Sequence, residues 1–233
     1  MNTIENEDFN QKTVLVRVDF NVPLNDQFEV TDSTRIHAAK PTIETLVKSG
    51  AKCVLLTHLG RPKGPDPDLS LKHIVPEVSK ILGQRVHFSE QTIGKQAVEM
   101  ITNQAFGEVI LMENLRFFSE ETQGEKNFAR ALADLGDAYV NDAFGTAHRA
   151  HASTAIIADF FPKDKYFGML LKGEVEAIQQ VMETGKKPVL AIIGGAKVSS
   201  KLTILESLLD NIDDLIIGGG MVYTFIQAQG GRD

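Results

Sequence analysis

Short runs of Val, Ile and Leu recur along this chain, and each is followed by a longer stretch with helical spacing. The strand-like runs are TVLVRV (13–18), AKCVLL (51–56), GEVILM (107–112), DAYVN (137–141), PVLAII (188–193) and DLIIGG (214–219), with weaker ones at RVHF (85–88) and near Tyr166. Helical patterns fall at 34–49, 71–82, 94–102, 124–135, 153–160, 172–183, 199–209 and 220–228. Successive parallel strands need a long crossover, usually a helix, to bring the chain back to the same end of the sheet. Runs that are apolar throughout, rather than alternating, are expected where both faces of a sheet are covered. The fold class predicted is α/β, in three layers around a parallel sheet, with right-handed crossovers.

Length sets the domain count. The 233 residues suit one large domain or up to two ordinary ones. Residues 1–171 contain enough strand–helix units for a complete first domain. Residues 172–185 read as an amphipathic connecting helix running into the linker TGKKP (184–188). Residues 186–233 supply only two strands and two helices, too few for an independent sheet of normal size. They are expected to be the start of a second α/β domain, and the abrupt end at QGGRD reads as that of a partial polypeptide.

The net charge of −7 argues against a general nucleic-acid binder. No run is long and apolar enough for a membrane span, and the polar, acidic start MNTIENEDFNQKT is not a targeting peptide. One cysteine, Cys53, lies in an apolar run and reads as core, which fits a cytosolic setting.

In open α/β sheets, ligands bind at the carboxyl ends of the strands. The segments that follow the first-domain strands are DFNVPLN, THLGRPKG, ENLRFF and DAFGTAHRAHAS. They deliver Arg61, Arg116 and Arg149, and Arg35 opens the helix after the first strand, out of eight arginines in all. Guanidinium groups bind phosphate and carboxylate through paired N–H donors. Gathered in an acidic protein, they are expected to surround an anion rather than to pair locally with carboxylates. Asp19 and Asn21 are placed to accept from a substrate hydroxyl, unless they only make the turn before Pro23. His58 is placed to donate to the same anion. His148 and His151 flank Arg149 without the spacing of a zinc site.

A second feature is AIIGGAKVSSKLTILESLL (191–209), where a strand enters Gly194-Gly195 and then a helix. Glycines permit close approach of backbone to ligand, and a helix N-terminus favours phosphate. Lys197 and Lys201 share one face of that helix start, which opposes the helix dipole unless an anion is bound. The spacing is not that of a Walker A loop. IIGGGMVYTF (216–225) repeats the strand–glycine–helix pattern without the dinucleotide fingerprint.

In order along the chain, VRVDFNVP, THLGRP, ENLRF, VNDAFGTAHRAHAS, IIGGAKVSSKL and IIGGGMVYTF resemble the phosphoglycerate kinase family. The resemblance implies a Rossmann-like N-terminal domain that binds 3-phosphoglycerate or 1,3-bisphosphoglycerate. It also implies a C-terminal domain for ADP or ATP with Mg2+, hinge closure between the two, and a cytoplasmic monomer of glycolysis. Carried onto matching positions, Asp19, Asn21, Arg35, His58, Arg61, Arg116 and Arg149 hold the phosphoglycerate, and Phe20, Leu59 and Gly60 border it through backbone. Lys201, Gly195, Gly218 and Gly219 border the nucleotide. Lys197 and Arg35 stabilise the phosphoryl group in transfer, which needs positioning and positive charge rather than a general base. The protein ligand of Mg2+ is expected outside this chain. The alternative expectation is a fragment that binds phosphoglycerate without turnover.

Overall fold

The computed structural model describes residues 2–184, 187–195, 198–200 and 202–231. It divides into two compact units, Met1–Gly173 and Glu174–Asp233. In the first unit, strands β1 (Thr13–Arg17), β2 (Lys52–Leu56), β3 (Val86–Ser89), β4 (Val109–Met112), β5 (Ala138–Asn141) and β6 (Lys165–Phe167) form one sheet in the order β3-β4-β2-β1-β5-β6. Every pairing is parallel.

The alternation of side chains along these strands divides the core in two. Val14, Val16, Cys53, Leu55, Val109, Leu111, Ala138 and Val140 enter one apolar cluster. Leu15, Val54, Leu56, Ile110, Met112 and Tyr139 enter the other. The first is covered by α1 (Thr34–Lys48) and α2 (Val75–Leu82). The second is covered by α3 (Lys95–Thr102) and α5 (Lys126–Ala133). This is the three-layer arrangement expected of doubly covered strands. Cys53 is buried, and burial pushes its thiol up to about 12, so it is inert core as the sequence implied.

Three elements differ from the sequence reading. The segment expected as a helix at 153–160 is only a 3-10 turn at Ile156–Phe160, preceded by a run of turns anchored by Ser153 and Thr154. The pattern at 71–82 begins as a 3-10 turn, Leu71–Ile74, before α2. A short helix, α4 (Ser119–Gln123), was not apparent in the sequence. It ends at Gly124, whose φ is +67° and where a Cβ would lie 2.3 Å from the Ala150 carbonyl oxygen. Glycine therefore brings the end of α4 against the 150–153 segment.

Helix α6 (Met169–Thr184) runs from the first unit into the second. The second unit also contains β7 (Leu190–Gly194) and β8 (Asp214–Gly218), paired in parallel, with α7 (Leu202–Leu209) and α8 (Met221–Ala228). Ile192 and Ile216 are exposed there, as befits a two-stranded sheet with an uncovered face. Among the described residues no helix is long and apolar enough to cross a membrane.

Ile110 sits in β4 at 0% exposure within the second cluster. Ile110→Ala is expected to lower unfolding free energy by about 2–5 kcal/mol through lost burial and a residual cavity. Urea denaturation followed by circular dichroism measures this, and a loss below about 1 kcal/mol would mean that the strand is not part of a close-packed interior.

Candidate functional site

Four adjacent strands, β4-β2-β1-β5, deliver their following loops to one edge of the sheet because all four run the same way. Asn114 ties these loops together and is fully buried. Its side-chain oxygen accepts from the N–H groups of Leu59 (3.3 Å) and Arg116 (3.1 Å). Its amide nitrogen donates to the carbonyls of Leu59 (2.8 Å) and Leu69 (2.9 Å). Using both polar ends of a buried amide in this way fixes the position of Arg116 relative to the loop after β2.

Three of the predicted arginines meet. Arg61, Arg116 and Arg149 line one hollow of about 340 Å³, together with Pro62, Thr122 and His151. Arg116 donates to the Gly60 carbonyl at 2.6 Å. Burial and then the charges of Arg149, Arg17 and Arg61 push its guanidinium below the usual value. The side chains of Arg61 and Arg149 have no ion pair or hydrogen bond among the described residues. A larger hollow of about 400 Å³ between Pro65 and Phe118 mixes Lys72 with Asp66, Glu90 and Glu113 and lacks such convergence.

The other predicted contacts are arranged differently. Arg35, in the first turn of α1, forms a 2.8 Å ion pair with Asp19, so here local pairing with a carboxylate holds. Asp19 also accepts from the Asn21 N–H at 3.3 Å, and β1 has already ended at Arg17. The two residues are therefore joined by a local side-chain-to-backbone bond just beyond the strand. Asn21 accepts from the Gly60 N–H at 2.8 Å and lines a separate hollow with Leu59 and Gly60.

Phe20, Leu59 and Gly60, expected to border a ligand through backbone, have their backbone groups hydrogen-bonded among these loops. Their N–H groups donate to Thr57 Oγ1, Asn114 Oδ1 and Asn21 Oδ1. Their carbonyls accept from the Val22 N–H, from Asn114 and from Arg116. These residues knit the loops to one another.

His58 is 3% exposed and lies against Arg17, whose terminal nitrogen is 3.3 Å from Nδ1. Burial, then the charges of Arg17, Arg116, Arg149 and Arg35, lower its pKa to about 2. The ring is neutral at any physiological pH. His151 is also shifted down, by burial first, with Glu121 acting the other way. Arg17, Glu121 and Ser153 were not singled out from the sequence. Arg17 had one visible signal: it is the only charged residue within TVLVRV, on the same strand face as buried Leu15.

In the second unit, Lys197 and Lys201 lie outside the described residues. Gly195 and Gly219 come together: Gly219 has φ +71°, and a Cβ on it would lie 2.9 Å from the Gly195 carbonyl oxygen. That carbonyl accepts the Met221 N–H at 2.9 Å, at the start of α8. Gly195 N–H reaches the Gly218 carbonyl at 3.4 Å. The glycines thus allow close backbone packing of the two strand–helix turns. Among the described residues no three His, Cys, Asp or Glu side chains gather as a metal site.

The depressed pKa of His58 has a definite consequence for stability. The unfolded chain takes up a proton near the ordinary value of 6.5, whereas the folded chain does not until about 2. Stability from this group is full above pH 6.5 and falls below it, by up to about 1.4 kcal/mol per pH unit. Urea midpoints are expected to fall between about pH 7.5 and about pH 5.5, and less steeply in His58→Asn. An equal fall in the variant would remove His58 as the responsible group.

The family model for phosphoglycerate kinase matches residues 4–232. A phosphoglycerate kinase of Porphyromonas gingivalis is 47% identical, over 99% of this chain and 61% of its own length. The cytosolic phosphoglycerate kinase 3 of Arabidopsis thaliana is 48% identical, over 98% of this chain and 57% of its own. Among solved structures, that of phosphoglycerate kinase from Coxiella burnetii superposes with a TM-score of 0.84 at 38% identity, covering 98% of this chain and 57% of that one. That from Pyrococcus horikoshii gives 0.87 at 35% identity, covering 100% and 58%. The chain therefore spans about three-fifths of the length of these relatives. With a family match along nearly its whole length and these loops at one sheet edge, the chain belongs to the phosphoglycerate kinase family.

Proposed function

We propose that the first unit binds 3-phosphoglycerate or 1,3-bisphosphoglycerate, and that the chain serves reversible phosphoryl transfer between ATP and the carboxylate of 3-phosphoglycerate. The reaction is a kinase step of glycolysis. The observation that carries this reading is the hollow lined by Arg61, Arg116 and Arg149, in which two guanidinium groups lack any counterion among the described residues. Like charges held together in a chain of net charge −7 are relieved by an anion between them. Phosphate and carboxylate groups both suit planar N–H forks.

On this reading, Arg61, Arg116 and Arg149 neutralise the phosphate end of the substrate, and His58 contributes a neutral donor. Arg35 exchanges its contact with Asp19 for the group in transfer. Lys197 stabilises the same group from the nucleotide side, and Lys201, Gly195, Gly218 and Gly219 border the ADP or ATP phosphates. Mg2+ enters with the nucleotide, neutralising phosphate charge, its protein ligand expected outside this chain. Transfer requires hinge closure that brings both substrates together and excludes water from the acyl phosphate. We assign the chain to the cytosol, as for the Arabidopsis relative named cytosolic, as a monomer without nucleic-acid or membrane partners.

Arg149→Ala and Arg61→Ala are each expected to weaken 3-phosphoglycerate binding by about ten- to a hundredfold, the scale of one charged hydrogen-bonding group. Isothermal titration calorimetry measures this, and unchanged affinity in both variants would overturn the site. Arg35→Ala is expected to depress turnover more than affinity in a coupled assay with ATP, whereas equal losses would deny it a transition-state role. Binding with no turnover by the unaltered chain would favour the binding-only alternative.

A further inference from the structure

The arginine that ends β1 carries a second layer of organisation beneath the site. Arg17 is 1% exposed, and a buried guanidinium must find protein acceptors for its donors. Its Nε donates to Ser153 Oγ at 2.8 Å, and one terminal nitrogen donates to the Val18 carbonyl. The other terminal nitrogen faces His58 Nδ1 at 3.3 Å. Ser153 Oγ donates to Glu121 Oε1 at 2.6 Å, and the Ser153 N–H donates to Glu121 Oε2 at 2.9 Å. Glu121 is itself 1% exposed, and Tyr139 secures the Ser153 carbonyl through its hydroxyl at 2.8 Å.

The polarity of this chain of bonds allows one arrangement. A guanidinium only donates and an ionised carboxylate only accepts. Ser153 has one hydroxyl proton, so it accepts from Arg17 and gives that proton to Glu121. At the other end, Arg17 meets an imidazole nitrogen and again can only donate. Nδ1 of His58 must therefore present its lone pair. A neutral imidazole has one ring proton, and here it sits on Nε2. Glu121 also supplies the buried negative charge that offsets Arg17, without which the guanidinium would be an uncompensated ion in the core.

We propose that Ser153 and Glu121 are positioning residues that act through Arg17 to hold His58 as its Nε2–H tautomer, so that the imidazole meets the bound anion as a donor. The last clause rests on the phosphoglycerate reading, whereas the tautomer stands on the buried network alone. This gives α4 a purpose in the site although it supplies no predicted ligand contact. Gly124 lets its end approach residue 150, which sets Glu121 beside Ser153.

Long-range proton–nitrogen correlation spectra of the 233-residue chain report the two His58 ring nitrogens separately. The expected spectrum has a protonated Nε2 and an unprotonated Nδ1, unchanged from about pH 8 to about pH 5. In Ser153→Ala, exchange between tautomers is expected, with 3-phosphoglycerate affinity lower by about tenfold. A protonated Nδ1 in the unaltered chain would overturn the proposal, as would a Ser153→Ala spectrum identical to it. Should Ser153→Ala fail to fold, Glu121→Gln keeps the side-chain size and is expected to show the same exchange; an unchanged spectrum there would also overturn it. A locked His58 in a chain that does not bind 3-phosphoglycerate would support the positioning role while refuting the functional reading.

Discussion

The parallel direction of the six strands is the constraint on which the rest of the first unit depends. It sends the loops after β1, β2, β4 and β5 to one edge, and these strands are neighbours in the order β4-β2-β1-β5. Antiparallel pairing would divide the same loops between two edges and separate Arg61, Arg116 and Arg149. The register is held by side-chain alternation between two apolar clusters, since a one-residue slip would exchange their contents. Gathering cations is therefore imposed by topology, and the loops must be stiff enough to resist the resulting repulsion. Asn114 and the fully bonded backbone of Phe20, Leu59 and Gly60 supply that stiffness.

Much of this was legible in the sequence because it rests on residue type and period. Unbroken apolar runs such as KCVLL marked doubly covered strands, and all eight strand-like runs form strands. Arginine at a strand end is visible without knowing strand order, so Arg61, Arg116 and Arg149 could be grouped before their loops were placed. Asp19 and Asn21 were legible as polar strand-end residues, but not in their pairing. Their partners, Arg35 and the Gly60 N–H, lie 16 and 39 residues away. A pattern read along one segment cannot see contacts made between segments this far apart.

What escaped notice is the layer beneath the site. Glu121 reads as one of the two acidic residues in SEET, where a solvated helix start is the ordinary outcome. Its burial depends on Gly124 and on the 150–153 segment, which is 29 or more residues later in the chain. Ser153 is a serine in a run of small residues, expected to begin a helix. It instead anchors turns, because its N–H and hydroxyl are both taken by Glu121. A short-range pattern has no means of recording that competition between helix and side-chain acceptor.

The two layers divide the electrostatic work. Cations near the surface can be screened or neutralised by a ligand, and Arg61 is exposed enough for both. Arg17 is not, so its charge must be balanced from within, and Glu121 does so through Ser153. A protonated His58 would add another positive charge beside Arg17, Arg116 and Arg149 in a desolvated position. Its lowered pKa expresses that cost. A neutral ring keeps a donor at the site without adding to the repulsion that the unliganded protein has to withstand. The hollow lined by Arg61, Arg116 and Arg149 can then be positive while the interior below it stays balanced, within a chain of net negative charge.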